Sequence, residues 1–250
     1  MADQFLLAFL IFAAALLYSS VGHGGASGYL AAMALFSVAP EVMKPAALVL
    51  NLFVAGIGTY RYARAGCFAW NTFWPFAVLS VPFAFLGGAW KLPELSYRLL
   101  LGVVLVFASW RLAVRQSAHA PAMKRPIVLP AALALGAGIG LLSGLTGVGG
   151  GIFLSPVLLL LGWAEIRQTA AVSAAFILVN SLAGLTGHAL MGHLQKVQVL
   201  PQQVYLWVPA AVLGGLIGSE LGSRRLTPMT MRRLLAAVLL VAALKMLLGR

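Results

Sequence analysis

Acidic side chains are scarce in this sequence. Five Asp and Glu stand against 17 Lys and Arg, and charged residues of both signs fill only 9% of 250 positions. A typical soluble domain carries about 25% charged residues, so this composition excludes an ordinary soluble enzyme. Cysteine is rarer still. With Cys67 alone, no intramolecular disulfide can form, and zinc sites built on two or four cysteines are excluded. A basic leader is lacking as well: the start MADQFLLAFL carries Asp3 and no Lys or Arg before its apolar stretch, unlike a secretory signal peptide. The first segment is therefore expected to stay in the mature protein.

What is present is apolar. Hydrophobic residues make up 62% of the chain, in runs separated by short breaks that hold nearly all the Lys, Arg, Glu and Pro, the pattern of stacked transmembrane helices. The formal charge of +12 does not point to nucleic acid, because the cations sit singly or in pairs at the ends of apolar runs, where they anchor helices and set orientation. The expected partners are the lipid bilayer and a small solute, and a homo-oligomer is compatible with both.

The runs predict ten segments. Five lie at about residues 5–19, 28–39, 45–60, 72–89 and 97–114, and five at about 127–143, 152–163, 169–187, 203–221 and 231–248. A polar linker, RQSAHAPAMKRP, occupies 115–126. The chain thus divides into a first membrane repeat (1–114), a cytoplasmic linker (115–126) and a second repeat (127–250). The halves correspond: Gly22, Gly24 and Gly25 in VGHGGASG match Gly147, Gly149 and Gly150 in TGVGGGIF at one constant offset. APEVMKPAA aligns with WAEIRQTAA, pairing Glu41 with Glu165, and Pro82 followed by Gly87-Gly88 aligns with Pro209 followed by Gly214-Gly215. Pro82 and Pro209 should bend their helices.

The second segment of each half is short. A helix of about twelve residues spans roughly 18 Å, against roughly 30 Å of hydrocarbon, so these pieces read as half-helices. Short, Gly-interrupted segments at matching places in two halves point to a transporter's central site. The basic linker (Arg111, Arg115, Lys124, Arg125) and the loop before the last segment (Arg224, Arg225, Arg232, Arg233) should both be cytoplasmic. Arg61 and Arg64 are expected in a further cytoplasmic loop, and the counterpart around His188, His193 and Lys196 outside. Each repeat then makes an odd number of crossings, and its successor is inverted. The predicted fold class is an all-α polytopic membrane protein of two inverted repeats, each a glycine-broken short helix pair plus three transmembrane helices.

The glycine loops are the leading site candidates. Each precedes a short helix whose first N–H groups lack intrahelical partners, and those groups with the helix dipole attract anions. Neither loop carries the Lys of a Walker A sequence, and a membrane helix precedes where a Rossmann fingerprint needs a strand. No cofactor is expected. His23, inside the first loop, can hydrogen-bond an oxyanion or carry a proton, whereas its counterpart Val148 cannot. Only one acid, Glu220, falls within an apolar segment, near its end. Cation pathways place carboxylates at membrane depth, so an anionic solute held by backbone, hydroxyl and amide groups is the better reading. Candidate substrate contacts are Ser20, Gly22, His23, Gly24, Gly25, Asn51, Thr146, Gly147, Gly149, Gly150, Gly151 and Asn180. No metal site is expected, since His188 and His193 are spaced for different helix faces and read as an interfacial loop.

Through SGLTGVGGGIFLSPVLLLLG (143–162), AAVSAAF, and the GH pairs near 187–193, with a weaker copy SSVGHGGASGYL and RYARAGCFAW in the first half, the chain resembles the sulfite exporter TauE/SafE family of membrane permeases. The resemblance covers essentially the whole chain. It implies a duplicated membrane unit, no enzymatic activity, and transport of a small sulfur-containing anion such as sulfite or an organosulfonate, with proton coupling through His23 an open expectation. It also implies substrate contacts at Gly22–Gly25 and Gly147–Gly151. The first loop departs from the pattern, with Ala26 where the second has Gly151. A carboxylate or other organic anion is the alternative solute, and a His-dependent membrane enzyme the alternative class. The expected location is a cell membrane, the inner membrane in a Gram-negative organism.

Overall fold

The computed structural model describes residues 2–20, 22–113, 125–191 and 204–224, with five further positions between 240 and 248. All regular structure among the described residues is helical: α1 Ala2–Ser19, α2 Ala26–Leu35, α3 Pro40–Arg64, α4 Trp70–Ala89, α5 Glu94–Ala113, α6 Leu129–Thr146, α7 Gly151–Leu160, α8 Ile166–Leu190 and α9 Val204–Arg224. Five of these, α3, α4, α6, α8 and α9, are long and apolar enough to cross a membrane. The residues of the linker from 115 to 124, His193 and Lys196, Arg225, Arg232 and Arg233, and most of the tenth predicted segment lie outside the described residues.

Local chemistry sets the helix ends. Pro40 opens α3 in the first helical position, where its missing N–H is no loss, with Glu41 in the first turn and Arg61 and Arg64 in the last, complementing the dipole at both ends. Arg61 and Arg64 therefore lie within α3, not in the loop expected after residue 60. Similarly, His188 is buried in the last turn of α8 and is not part of an interfacial loop. Gly187 explains this: a side chain there would collide with the Phe85 carbonyl oxygen, so α8 runs tight against α4 and buries the following residue. The two ten-residue helices α2 and α7 each reach about 15 Å. Every position of α2 from Ala26 to Ala34 is buried.

The apolar interior forms two main cores. One joins α1, α2, α3, α5 and α9, and takes in Val148 and Ile152 from the second half. The other joins α4, α6, α7 and α8. Each half of the sequence thus lends one helix to the other half's core: α4 packs on α6 and α8, while α9 packs on α1 and α3. The long helices α3 and α8 pack on each other between these two groups.

Glycine permits the closest of these contacts. Gly136, Gly140 and Gly144 lie four residues apart on α6, and side chains there would run into the carbonyl oxygens of Phe76, Ser80 and Ala84 on α4. Gly214 and Gly218 of α9 press in the same way on Phe12 and Leu16 of α1. Such small-residue faces bring helix backbones together where lipid supplies no hydrophobic drive for association.

This packing yields a stability prediction. Gly140→Ala should lower the thermal unfolding midpoint in detergent by several degrees, as overpacking a tight contact costs about 1–3 kcal/mol. Gly138→Ala, on the same helix with nothing within 4 Å, should leave the midpoint unchanged or raise it slightly. Equal effects of the two would show that the α4–α6 contact is looser than described.

Candidate functional site

Both glycine loops turn by means that other residues rarely tolerate. Gly22 and Gly25 in the first loop have φ of 77° and 98°, and Gly147, Gly149 and Gly150 in the second have 82°, 83° and 83°. These are left-handed conformations open to residues without a Cβ. Gly147 ends α6, its N–H donating to the Ser143 carbonyl at 2.8 Å, and Gly150 then caps α7 as Gly25 caps α2. The chain breaks its helix for a few residues and restarts, with the new N-terminus inside the protein.

The two loops converge on one pair of side chains. A Cβ on Gly24 would lie 2.5 Å from Asn51 Oδ1 and 3.0 Å from Ile177 Cγ2. A Cβ on Gly149 would lie 2.7 Å from Asn51 Nδ2 and 2.8 Å from the same Ile177 methyl. Asn51, from α3, is fully buried and donates through Nδ2 to the Val148 carbonyl (3.4 Å) and to Ser181 Oγ (3.3 Å). Its Oδ1 has no donor among the described residues. Nor does any acceptor among them meet the N–H groups of Gly24, Gly25, Gly149 or Gly150, although all four residues are buried. Buried backbone donors are nearly always paired, by backbone, side chains or ordered water. This arrangement offers several buried donors and two helix N-termini, with no carboxylate beside them among the described residues, a combination suited to an anion.

A second polar line joins the halves. His23 is half-buried, and its Nε2 lies 3.0 Å from Ser155 Oγ of α7, which lies 2.8 Å from Ser173 Oγ of α8. The first loop is held by Tyr29, whose hydroxyl donates to the Gly24 carbonyl at 2.6 Å, and by the His23 N–H, which donates to the Tyr18 carbonyl at 2.9 Å. Ser27 in turn donates to the Tyr18 hydroxyl at 2.7 Å.

Of the residues singled out from sequence, Gly24, Gly149 and Asn51 meet directly, and Gly151 joins them through Ile177. Gly25 and Gly150 stand at the helix starts beside them, and Gly22 packs on Ala170 of α8. Ser20 and Thr146 turn their hydroxyls back onto their own helices, to the Leu17 and Leu142 carbonyls at 2.7 Å each, and Thr146 Oγ1 also accepts from the Val148 N–H of the second loop at 3.4 Å. Asn180 faces α4, accepting from Ser80 Oγ at 2.7 Å, so it is not brought to the loops. Sequence reasoning passed over Ile177, Ser181, Ser155 and Ser173. One signal was there to be used: Thr169, Ser173, Ile177 and Ser181 follow at i+4 spacing, which puts them on one face of α8. All four are buried. Among the described residues no three His, Cys, Asp or Glu side chains gather in a metal-binding group.

Comparison with known proteins bears on this geometry. The family model described as Sulfite exporter TauE/SafE matches residues 7–246. The chain is 43% identical over 244 residues to the Probable membrane transporter protein y4hK of Sinorhizobium fredii, covering 96% of this chain and 97% of that one. It is 29% identical over 103 residues to the Probable membrane transporter protein YunE of Bacillus subtilis, covering 41% of this chain and 36% of that one. No solved structure matches.

Asn51 is expected to hold the two loops in register. Asn51→Leu should lower the unfolding midpoint in detergent, since it strands the Ser181 hydroxyl and the Val148 carbonyl at about 1–3 kcal/mol for buried polar groups left unmatched. Asn180→Leu should destabilise comparably through Ser80 while leaving ligand binding intact. Loss of binding in the Asn180 variant alone would move the site to the α4 side of α8.

Proposed function

Because the chain belongs to the sulfite exporter TauE/SafE family, as a secondary membrane transporter for a small sulfur-containing anion, we propose that it holds this anion between its two glycine loops. The observation that carries the reading is the approach of Gly24 and Gly149 to the same Asn51 amide and Ile177 methyl, with nearby backbone N–H groups unmatched among the described residues. A sulfur oxoanion presents acceptors on several sides, and donors from two helix starts suit it. Inside the membrane the attraction is stronger than in water, because the local dielectric is low.

The reading includes an inverted relation between the halves. In support, corresponding helices exchange in a reciprocal way, α4 onto α6 and α8, α9 onto α1 and α3. An inverted pair brings its two half-helices to one site from opposite membrane faces, and alternating access follows from rocking one core against the other. His23 adds a route for coupling. Through Ser155 and Ser173 its ring connects the first loop to the second half, so a proton gained by His23 is felt where both loops meet, and proton-linked transport is the proposed mode.

Three measurements test these points. Gly24→Val and Gly149→Val should each weaken sulfite or organosulfonate binding, measured by calorimetry on purified protein, by more than about tenfold, or about 1.4 kcal/mol. Gly138→Val should change it little, and a carboxylate bound more tightly than any sulfur anion would redirect the substrate class. In a Cys67→Ser background, Arg64→Cys and Met191→Cys mark the ends of corresponding helices α3 and α8, and should label from opposite membrane faces. Labelling from one face would refute the inversion. Finally, His23→Asn should abolish uptake driven by a pH gradient while binding persists. Gradient-driven uptake unchanged by this variant would assign His23 to packing.

A further inference from the structure

We propose that Lys44 is a specificity-determining residue that makes the second glycine loop select anions by charge, an inference that rests on the site reading given above. Lys44 lies five residues into the membrane-crossing helix α3 and is only 6% exposed, the one buried Lys or Arg among the described residues whose burial is given. Its ammonium reaches the end of α4, donating to the carbonyls of Gly88 (3.0 Å), Gly87 (3.1 Å) and Trp90 (3.5 Å). Three donors meeting three acceptors match the protonated amine, and the negative end of the α4 dipole favours the same form.

No carboxylate lies within ion-pair distance of this charge among the described residues. Glu41, one turn earlier on α3, is exposed. Carbonyl dipoles solvate the ammonium without neutralising it, so the protein keeps a buried positive charge at this position. The stem of that side chain lies against the loop. A Cβ on Gly147 would lie 3.0 Å from the Lys44 carbonyl oxygen, 3.2 Å from its Cα and 3.4 Å from its Cγ, so the ammonium stands within one lysine stem of the loop. An anion arriving there supplies the missing countercharge in a setting where Coulomb attraction is weakly screened.

The other half has no buried counterpart, since Arg167, beside the matching position, is exposed. Gln168 occupies the position matching Lys44 in the aligned segments, and its neutral amide donates to Thr72 Oγ1 at 3.0 Å. The two loops therefore differ electrically, and the second is the one that reads the charge of the ligand.

The test compares two sulfonates of similar size, isethionate with one negative charge and sulfoacetate with two. Lys44→Gln keeps an N–H donor for the α4 carbonyls and removes the charge. Because a Coulomb interaction scales with ligand charge, calorimetry on purified protein should show the isethionate Kd raised about fivefold and the sulfoacetate Kd about twenty-five-fold. Lys44→Arg should stay near wild type for both. An equal rise for the two ligands, or none, overturns the proposal and leaves Lys44 as a tie between α3 and α4. If Lys44→Gln does not fold, Lys44→His carries the test within one protein. Its preference for sulfoacetate over isethionate should fall between pH 5.5 and 8.5 by more than that of wild type, which holds the same His23, and a parallel pH response in both overturns the proposal. Wild-type protein that binds neither sulfonate refutes the site reading itself and this inference with it, whereas Gly149→Val losing both ligands equally upholds the site and leaves the charge question to Lys44.

Discussion

A peptide group inside a bilayer must find its hydrogen-bond partner within the protein, and the rest of this structure depends on that constraint. It explains why all regular structure among the described residues is helical, and why the two glycine breaks are buried by other helices. A break exposes N–H groups that lipid cannot satisfy. α2 is therefore sheathed along its whole length, and the restart of α7 sits against Ile177 and Phe176 of α8. The long helices α3 and α8 supply much of the enclosure, which is why they are the most buried of the membrane-crossing helices.

The same constraint gives the loops their chemistry. Donors that no carbonyl among the described residues meets are costly to leave buried without a partner. They remain available to a solute that brings its own acceptors. The scarcity of acids across the chain fits this: a carboxylate at the same depth would take the donors for itself. Hydroxyls and amides, such as those of Ser155, Ser173 and Asn51, line the region without that competition.

Much of this was legible in the sequence. The loops were, because glycines recurring at one spacing in two halves have few other causes, and Asn51 was, because an amide in an apolar run needs a partner. Helix ends were less so. Pro45 reads as the start of a helix, yet α3 begins at Pro40, and that shift moves Lys44 from an expected helix end to the protein interior. Ile177 was invisible because an isoleucine in an apolar helix looks like any other, and only the fold sets it beside two loops distant in sequence. Asn180 and its neighbour Ser181 were indistinguishable without knowing which way α8 turns: Ser181 faces Asn51 and Asn180 faces α4. Gly136, which lies outside the repeated loops, is one of the points at which α6 grips α4, and only the fold shows it.

The glycine contacts also divide the molecule mechanically. Where Gly136, Gly140 and Gly144 admit the carbonyls of α4, the two backbones mesh like teeth, and sliding one along the other would force atoms through each other. α1 and α9 mesh in the same manner at Gly214 and Gly218. Between α3 and α8, apart from the Asn51–Ser181 hydrogen bond, the contacts are of another kind: Gly58 stands 3.5 Å from the Ala174 methyl and Gly184 3.6 Å from a Leu48 methyl, measured from where a Cβ would be. Methyl groups roll over one another at little energetic penalty. The helix pairs that mesh are thus the solid parts of the molecule, and on the transport reading proposed above the seam between α3 and α8, running beside the two glycine loops, is where one core turns against the other.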